Sequence, residues 1–209
     1  MSLVKETEDF ELTGGAKCLD FANTLGDRPR SINEHLGDYG DLIRFSRQAA
    51  VLPPADLDEV ERMAREHPRS AHAAFKRALD LRENVYRIFS RLARGKAPEA
   101  EDIQLLNSVL HKALRRLELQ VQGGVLQWSW DKSAVSLDSP IWPIVRSAAN
   151  LLTSEEAIST RECASETCSW LFVDRSRTRR RRWCDMSTCG NRAKARRHYQ
   201  RRKQGQSSG

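Results

Sequence analysis

Four of the chain's five cysteines lie between positions 163 and 189, as two C-x4-C pairs: Cys163 with Cys168, and Cys184 with Cys189. Fifteen residues separate the pairs. Two thiolate pairs on tight turns a loop apart are the donor set of a zinc ion, which prefers soft sulfur ligands in a tetrahedron. Four thiolates leave no open position for water or substrate, so one structural Zn2+ is expected rather than a catalytic one. Two disulfides or free thiols are the competing reading. The N-terminal stretch MSLVKETEDFELTGG is acidic and lacks the apolar run of a secretory signal, which predicts a cytoplasmic chain with reduced thiols. A module of roughly 45 residues has too little core to fold alone, so the ion is expected to supply folding energy.

The elements that must position these thiols are legible around them. The spacer WLFVDRSRTRRRRW predicts a hairpin: a strand over Trp170 to Asp174, an arginine-rich turn, and a return at Trp183. After Cys189 the run NRAKARRHYQRRK is built of helix formers without proline. Knuckle, hairpin, and a helix whose first turn carries the second ligand pair describe a treble-clef-like zinc finger.

This finger is also where the charge sits. The chain has 209 residues and a net charge of +7. From Arg161 to Lys203 there are 14 basic and 4 acidic residues, a net of +10, which leaves the body mildly acidic. Such asymmetry points to a polyanion contacted by one end only. Arg175, Arg177, Arg179, Arg180, Arg181 and Arg182 crowd the expected hairpin tip, where phosphate contacts are expected. Arg192, Lys194, Arg196, Arg197, Arg201, Arg202 and Lys203 decorate the final helix, with Arg192, Arg196, Tyr199 and Lys203 on one face. Such a helix can lie in a major groove of duplex DNA, with its arginines on guanine edges or phosphates. Charge alone is equally compatible with RNA.

CGNR at Cys189–Arg192, taken with C-x4-C, LFVDRSR and RRWC, closely resembles the CGNR zinc finger of bacterial proteins. In that family the finger follows an N-terminal domain called ABATE, whose opening motif is similar to G-x-x-CLDFxNT. Gly15 to Leu25 here reads GAKCLDFANTL. The resemblance implies a stress-induced bacterial transcription regulator, with an ABATE-like body over 1–158 and a DNA-binding finger over 159–209. Within CGNR, Asn191 is expected to cap the turn. Arg192 has two candidate roles, reading bases or donating to a cysteinate of the zinc site.

The body reads as mainly α with one small β-hairpin, an α+β chain overall. Apolar stripes at helical spacing predict helices over about Tyr39–Ala50, Asp56–Glu66, Ser70–Arg94, Pro98–Leu114 and Pro140–Leu152. Alternation at Leu117, Leu119 and Val121, the Gly123-Gly124 turn, and Trp128 and Trp130 on the return predict the hairpin. The two tryptophans are expected to pack against the helices, with nucleic-acid stacking as the alternative. Cys18 reads as a buried apolar residue. Asp20, Asn23 and Thr24 either cap backbone groups or line a ligand pocket. Residues 1–13 read as a flexible start or an edge segment, and 207–209 as a disordered end.

No apolar run approaches the ~20 residues of a membrane span. Phosphate-cradling glycine loops, HExxH and a Ser-His-Asp pattern are all missing, so the chain is not expected to be an enzyme. The leading expectation is a zinc-dependent, DNA-binding transcription regulator whose body senses a small-molecule effector or a partner. The alternatives are an RNA- or ribosome-associated protein using the same finger, and a small-molecule enzyme with the finger as tether. A single finger has a small footprint, so a specific regulator is expected to work as a homodimer through its globular body.

Overall fold

The structure, a computed structural model, describes residues 9–206 apart from positions 29 and 31. Its organising element is α4 (Pro68–Ala93), a 26-residue helix. Ala71, Phe75, Ala78, Leu81, Val85 and Ile88 form the expected stripe and are all buried. Pro68 opens the helix at a position where a missing N–H costs nothing. Gly95, at φ +69°, closes it, with Lys96 N donating to Arg91 O at 2.9 Å.

Around α4 pack α1 (Lys17–Ala22), α2 (Tyr39–Gln48), α3 (Pro54–Glu66), α5 (Ala100–Leu114) and α6 (Ile141–Leu152). Asp38 caps α2, accepting from Asp41 N at 3.0 Å. Short α1 had no signal of its own in the sequence, since Ala16 precedes it without a capping side chain. Its Cys18, Leu19 and Phe21 are fully buried against α4 and α6. Burying each such leucine or phenylalanine contributes about 1.5–3 kcal/mol, so tertiary packing rather than propensity makes this helix.

Residues 9–13 are pinned rather than loose: Phe10 N donates to Gln48 Oε1 and Gln48 Nε2 donates to Phe10 O, each at 2.7 Å. The Phe10 ring stands edge-on to Phe45 at 5.4 Å. Positions 1–8 and 207–209, expected to be a flexible start and a disordered end, lie outside the described residues.

Three two-stranded antiparallel sheets complete the described fold. Strands β1 (Leu25–Gly26) and β2 (Asn33–Glu34) form a short clip. Strands β3 (Leu117–Gln122) and β4 (Val125–Trp130) form the expected hairpin, with Leu117 opposite Trp130 and Gln122 opposite Val125. Gly123 and Gly124 at φ +58° and +81° make its turn.

The third sheet corrects the sequence reading. β6 (Leu171–Val173) pairs upstream with β5 (Thr160–Glu162), not downstream with the segment around Trp183. The arginine-rich stretch instead folds around Asp174. One carboxylate oxygen accepts from Ser176 N at 3.0 Å and the other from Arg181 N at 2.8 Å. An Asx-type turn closed this way draws the chain away from the ladder.

The finger is stitched to the body. Leu171 and Val173 belong to the main core, while Phe172 on the opposite face packs among the cysteines. Tyr86 Oη and Ser90 Oγ of α4 both donate to the carboxylate of Glu162 at 3.0 Å, and Arg94 joins them at 2.9 Å. Glu162 immediately precedes Cys163, so the central helix fixes the first knuckle.

Candidate metal centre and nucleic-acid interface

The C-x4-C turn between β5 and β6 presents Cys163 and Cys168. It is closed by Cys163 N donating to Trp170 O at 2.8 Å and Cys168 N to Ser165 O at 3.2 Å. Ala164 N reaches Arg182 O at 2.8 Å, bringing the downstream chain alongside. Cys184 follows. A π-helical turn over Met186–Gly190 then carries Cys189 and runs on into α7 (Asn191–Gln206). Asp185 caps that turn, accepting from Thr188 N at 2.8 Å.

All four Sγ atoms are buried and lie within 4.8 Å of one another. Cys168 and Cys184 are 3.6 Å apart, and Cys184 and Cys189 3.7 Å. Sulfurs bonded at ~2.3 Å to one tetrahedral zinc ion sit about 3.8 Å apart, so the donor set fits the ion. The crowding is electrostatic as well. Bonding from Cys168 and Cys184 holds the Cys163 thiol far below its usual range, whereas bonding to Cys163 pushes Cys168 and Cys184 up. These groups compete for one negative charge, a competition that a divalent cation relieves by stabilising all the thiolates together.

The CGNR residues support the centre. Arg192 donates from Nη2 to Cys189 Sγ at 3.3 Å. Burial, the largest single effect, opposes its charge, but the sulfurs of Cys189, Cys168 and Cys184 together outweigh burial and raise its pKa. Asn191 Nδ2 donates to Ser187 O at 2.9 Å, closing the turn that holds Cys189.

The basic residues sort by their partners. Arg175 makes a two-pronged pair with Glu156, at 2.6 and 2.9 Å. Arg181 stacks over Phe172 at 4.5 Å and Arg182 over Trp183 at 5.2 Å. Arg196 pairs with Glu166. Arg177, Arg179, Arg180 and Lys194 are exposed, and their side chains have no partner among the described residues. Tyr199 is exposed on α7. The side chains of Arg197, Arg201, Arg202 and Lys203 lie outside those described.

A second feature lies at the seam between finger and body, a cavity of about 260 Å³. From the body come Asp20, Asn23 and Thr24 with Phe10, Asn33 and His35; from the finger come Thr167, Trp170, Thr188 and Arg192, along with the cysteines Cys168 and Cys189. The three residues singled out in the sequence also cap backbone. Asp20 accepts from Gly14 N at 2.7 Å, Thr24 Oγ1 donates to Phe21 O at 2.8 Å, and Asn23 bonds Leu171 twice. Burial pushes the Asp20 carboxyl up to about 6, against the Gly14 bond, which lowers it. Among the described residues Trp170 Nε1 is buried without a partner, and a Cβ on Gly26, another lining residue, would come within 3.2 Å of it.

Comparison with known families decides the identity. The ABATE family model, described as "Putative stress-induced transcription regulator", matches residues 15–155, and the CGNR zinc finger model matches residues 160–202. The chain belongs to the ABATE family. No curated protein matches it.

The ABATE match and the CGNR match meet in the turn over 155–159 that leads into β5. The opening ABATE motif is α1 and the turn after it, so its Asp20, Asn23 and Thr24 reach the seam together. Sequence reasoning missed Asn33 and His35, which arrive with β2, and Trp170, which comes from the distant first knuckle. It also missed Arg82, buried in α4 and held by both oxygens of Glu34 at 2.6 and 2.7 Å, which anchors the β2 wall of the same cavity. Cys18 is fully buried, and burial pushes its thiol up to about 12, in keeping with an inert apolar residue. No helix among the described residues is long and apolar enough to cross a membrane.

Proposed function

We propose that this ABATE protein is a transcription regulator whose zinc-bound finger grips duplex DNA and whose seam cavity takes a small-molecule effector. One observation carries the DNA reading. Arg177, Arg179, Arg180 and Lys194 project from a metal-clamped module with no protein partner among the described residues. Unpaired guanidinium groups on a rigid frame are positioned for phosphate. Arg192, occupied by Cys189, supports the zinc site in this reading, and base contacts fall to later residues of α7.

The seam supports the sensing half. It is built from both parts of the chain, so a compound bound there touches the finger's knuckles and α1 at once. At about 260 Å³ it suits a ligand smaller than the drug-sized compounds that fill pockets of ~300–1,000 Å³. A ligand that orders this seam changes how firmly the finger is held, and only differential affinity for the two states can do so.

The test is selection of bound duplexes from fragmented genomic DNA by zinc-loaded protein at physiological salt, with structured RNA as competitor. A short enriched motif resistant to RNA supports the regulator. Loss of all DNA to RNA would favour the RNA- or ribosome-associated alternative. Conversion of a small molecule at the seam, unaffected by DNA, would favour the enzyme with a tethering finger.

A further inference from the structure

The β3–β4 ribbon carries all its large apolar residues except Val125 on one face. Its register pairs Leu117 with Trp130, Leu119 with Trp128 and Val121 with Leu126. Strand alternation puts all six on the same side, with Glu118, Gln120 and Gln127 on the other. Only the base of that face is covered. Trp130 tilts against Trp142 of α6 with ring centroids 5.9 Å apart, and Arg146 lies over the Trp128 ring at 5.2 Å. Beyond this base, Leu119, Val121, Leu126 and Trp128 are 55, 69, 64 and 58% exposed.

Exposed ribbons are normally protected from association by lysine, proline, bulges or short length. This one has none of these devices: its two six-residue strands are fully paired, and their one charged side chain is Glu118. A contiguous apolar face of this kind marks an interaction surface. A two-stranded ribbon is also marginal by itself in water, so covering its apolar face stabilises the element that presents it.

We infer that this face is the contact between two copies of the chain, related by a two-fold axis. Area argues for a second copy. The exposed parts of the four side chains amount to roughly 500 Å² per chain, so face-to-face stacking of two ribbons removes about 1,000 Å² from water, the lower bound for a specific interface. Charge argues the same way. The four exposed side chains carry no charge, so they select no oppositely charged partner and meet no repulsion from their own copies; the one cation at this face, Arg146, sits at its base over Trp128. The chain's positive excess lies in the finger. Using one patch on both subunits closes the assembly at two. The inference does not depend on what the finger binds.

Sedimentation of the full, zinc-loaded chain over about 1–100 µM tests it, a range chosen to span the modest affinity of a small interface. Wild type is expected to sediment as two chains. Val121→Glu and Leu126→Glu, both at the exposed end of the ribbon and away from the core, are expected to weaken dimerisation at least ~100-fold by placing carboxylates in the contact. Zinc content and helicity should stay unchanged, which separates loss of association from loss of fold. Gln127→Glu, on the opposite face, is expected to leave the dimer intact. A monomer at the top of that range, or a dimer indifferent to both Val121→Glu and Leu126→Glu, would overturn the assignment.

Discussion

Asn23 holds Leu171 as a neighbouring strand would. Its Nδ2 donates to Leu171 O at 2.9 Å, and its Oδ1 accepts from Leu171 N at 2.8 Å. The two residues lie 148 positions apart and both are buried. One amide therefore satisfies both backbone groups of Leu171 on the outer edge of β6, three residues beyond the zinc ligand Cys168, while Gly14 O takes Val173 N on the same edge at 2.9 Å. Asn23→Ala leaves a buried N–H and C=O unpaired and is expected to cost about 2–4 kcal/mol. Asn23→Asp is expected to do no better, because a carboxylate cannot donate to Leu171 O. Urea unfolding of the zinc-loaded protein measures the loss, and a competition titration for zinc should show weaker binding in both variants. Unchanged stability in Asn23→Ala would remove this clamp from the account of how finger and body are joined.

Arg192 offers a second test, because its two candidate roles have different readouts. As a donor to Cys189 Sγ it supports the metal centre, and Arg192→Ala should lower zinc affinity by roughly 10- to 100-fold. Arg192→Lys keeps the charge but loses the planar fork, and should recover only part of that affinity. A variant with full zinc affinity and a selective loss at one base position would show instead that Arg192 reads sequence.

How far the sequence foretold this architecture depends on whether each signal was local. The stripe of α4 and the alternation of β3 and β4 are periodic within one segment, so their elements could be read directly. The four thiolates were equally legible, since spacing alone defines the donor set. The partner of β6 was not. LFVD has the composition of a strand, but composition does not name the neighbour, and Asp174 turns the following arginines back on themselves. The seam was half legible. GAKCLDFANTL placed three of its polar residues together, whereas His35 and Trp170 join them only through the β1–β2 clip and the β5–β6 knuckle. The arginines behaved similarly: their number predicted an anion partner, but not that Arg175, Arg181, Arg182 and Arg196 would be engaged within the protein.

That sorting sharpens the electrostatic prediction. Replacing Arg177, Arg179 and Arg180 by glutamine removes three unpaired cations from the loop. If each neutralises one phosphate, the slope of log affinity against log salt should fall by about 2–3, equally for all sequences. Arg175→Gln, which breaks an ion pair with Glu156, should change the slope much less. Equal effects from Arg175 and the free arginines would mean that the pair opens on binding.

The carboxyl of Asp20 makes the seam sensitive to pH. Burial raises its pKa from the ordinary 3.8 to about 6 in the folded chain, so the folded state binds this proton more tightly than the unfolded state. Its contribution to stability is therefore present in full below pH ~4 and is lost as pH rises through about 6. At neutral pH the buried carboxylate is a liability of up to about 2–3 kcal/mol, reduced by its partial contact with solvent. Asp20→Asn keeps an oxygen for Gly14 N and removes the charge. It is expected to stabilise the protein at pH 7.5 and to lose that advantage progressively toward pH 5. Zinc release also begins on the acid side, so the quantity to follow is the difference between variant and wild type, in which the metal's contribution cancels. A difference independent of pH would show that Asp20 is not titrating in this window, and that its role at the seam is confined to holding Gly14.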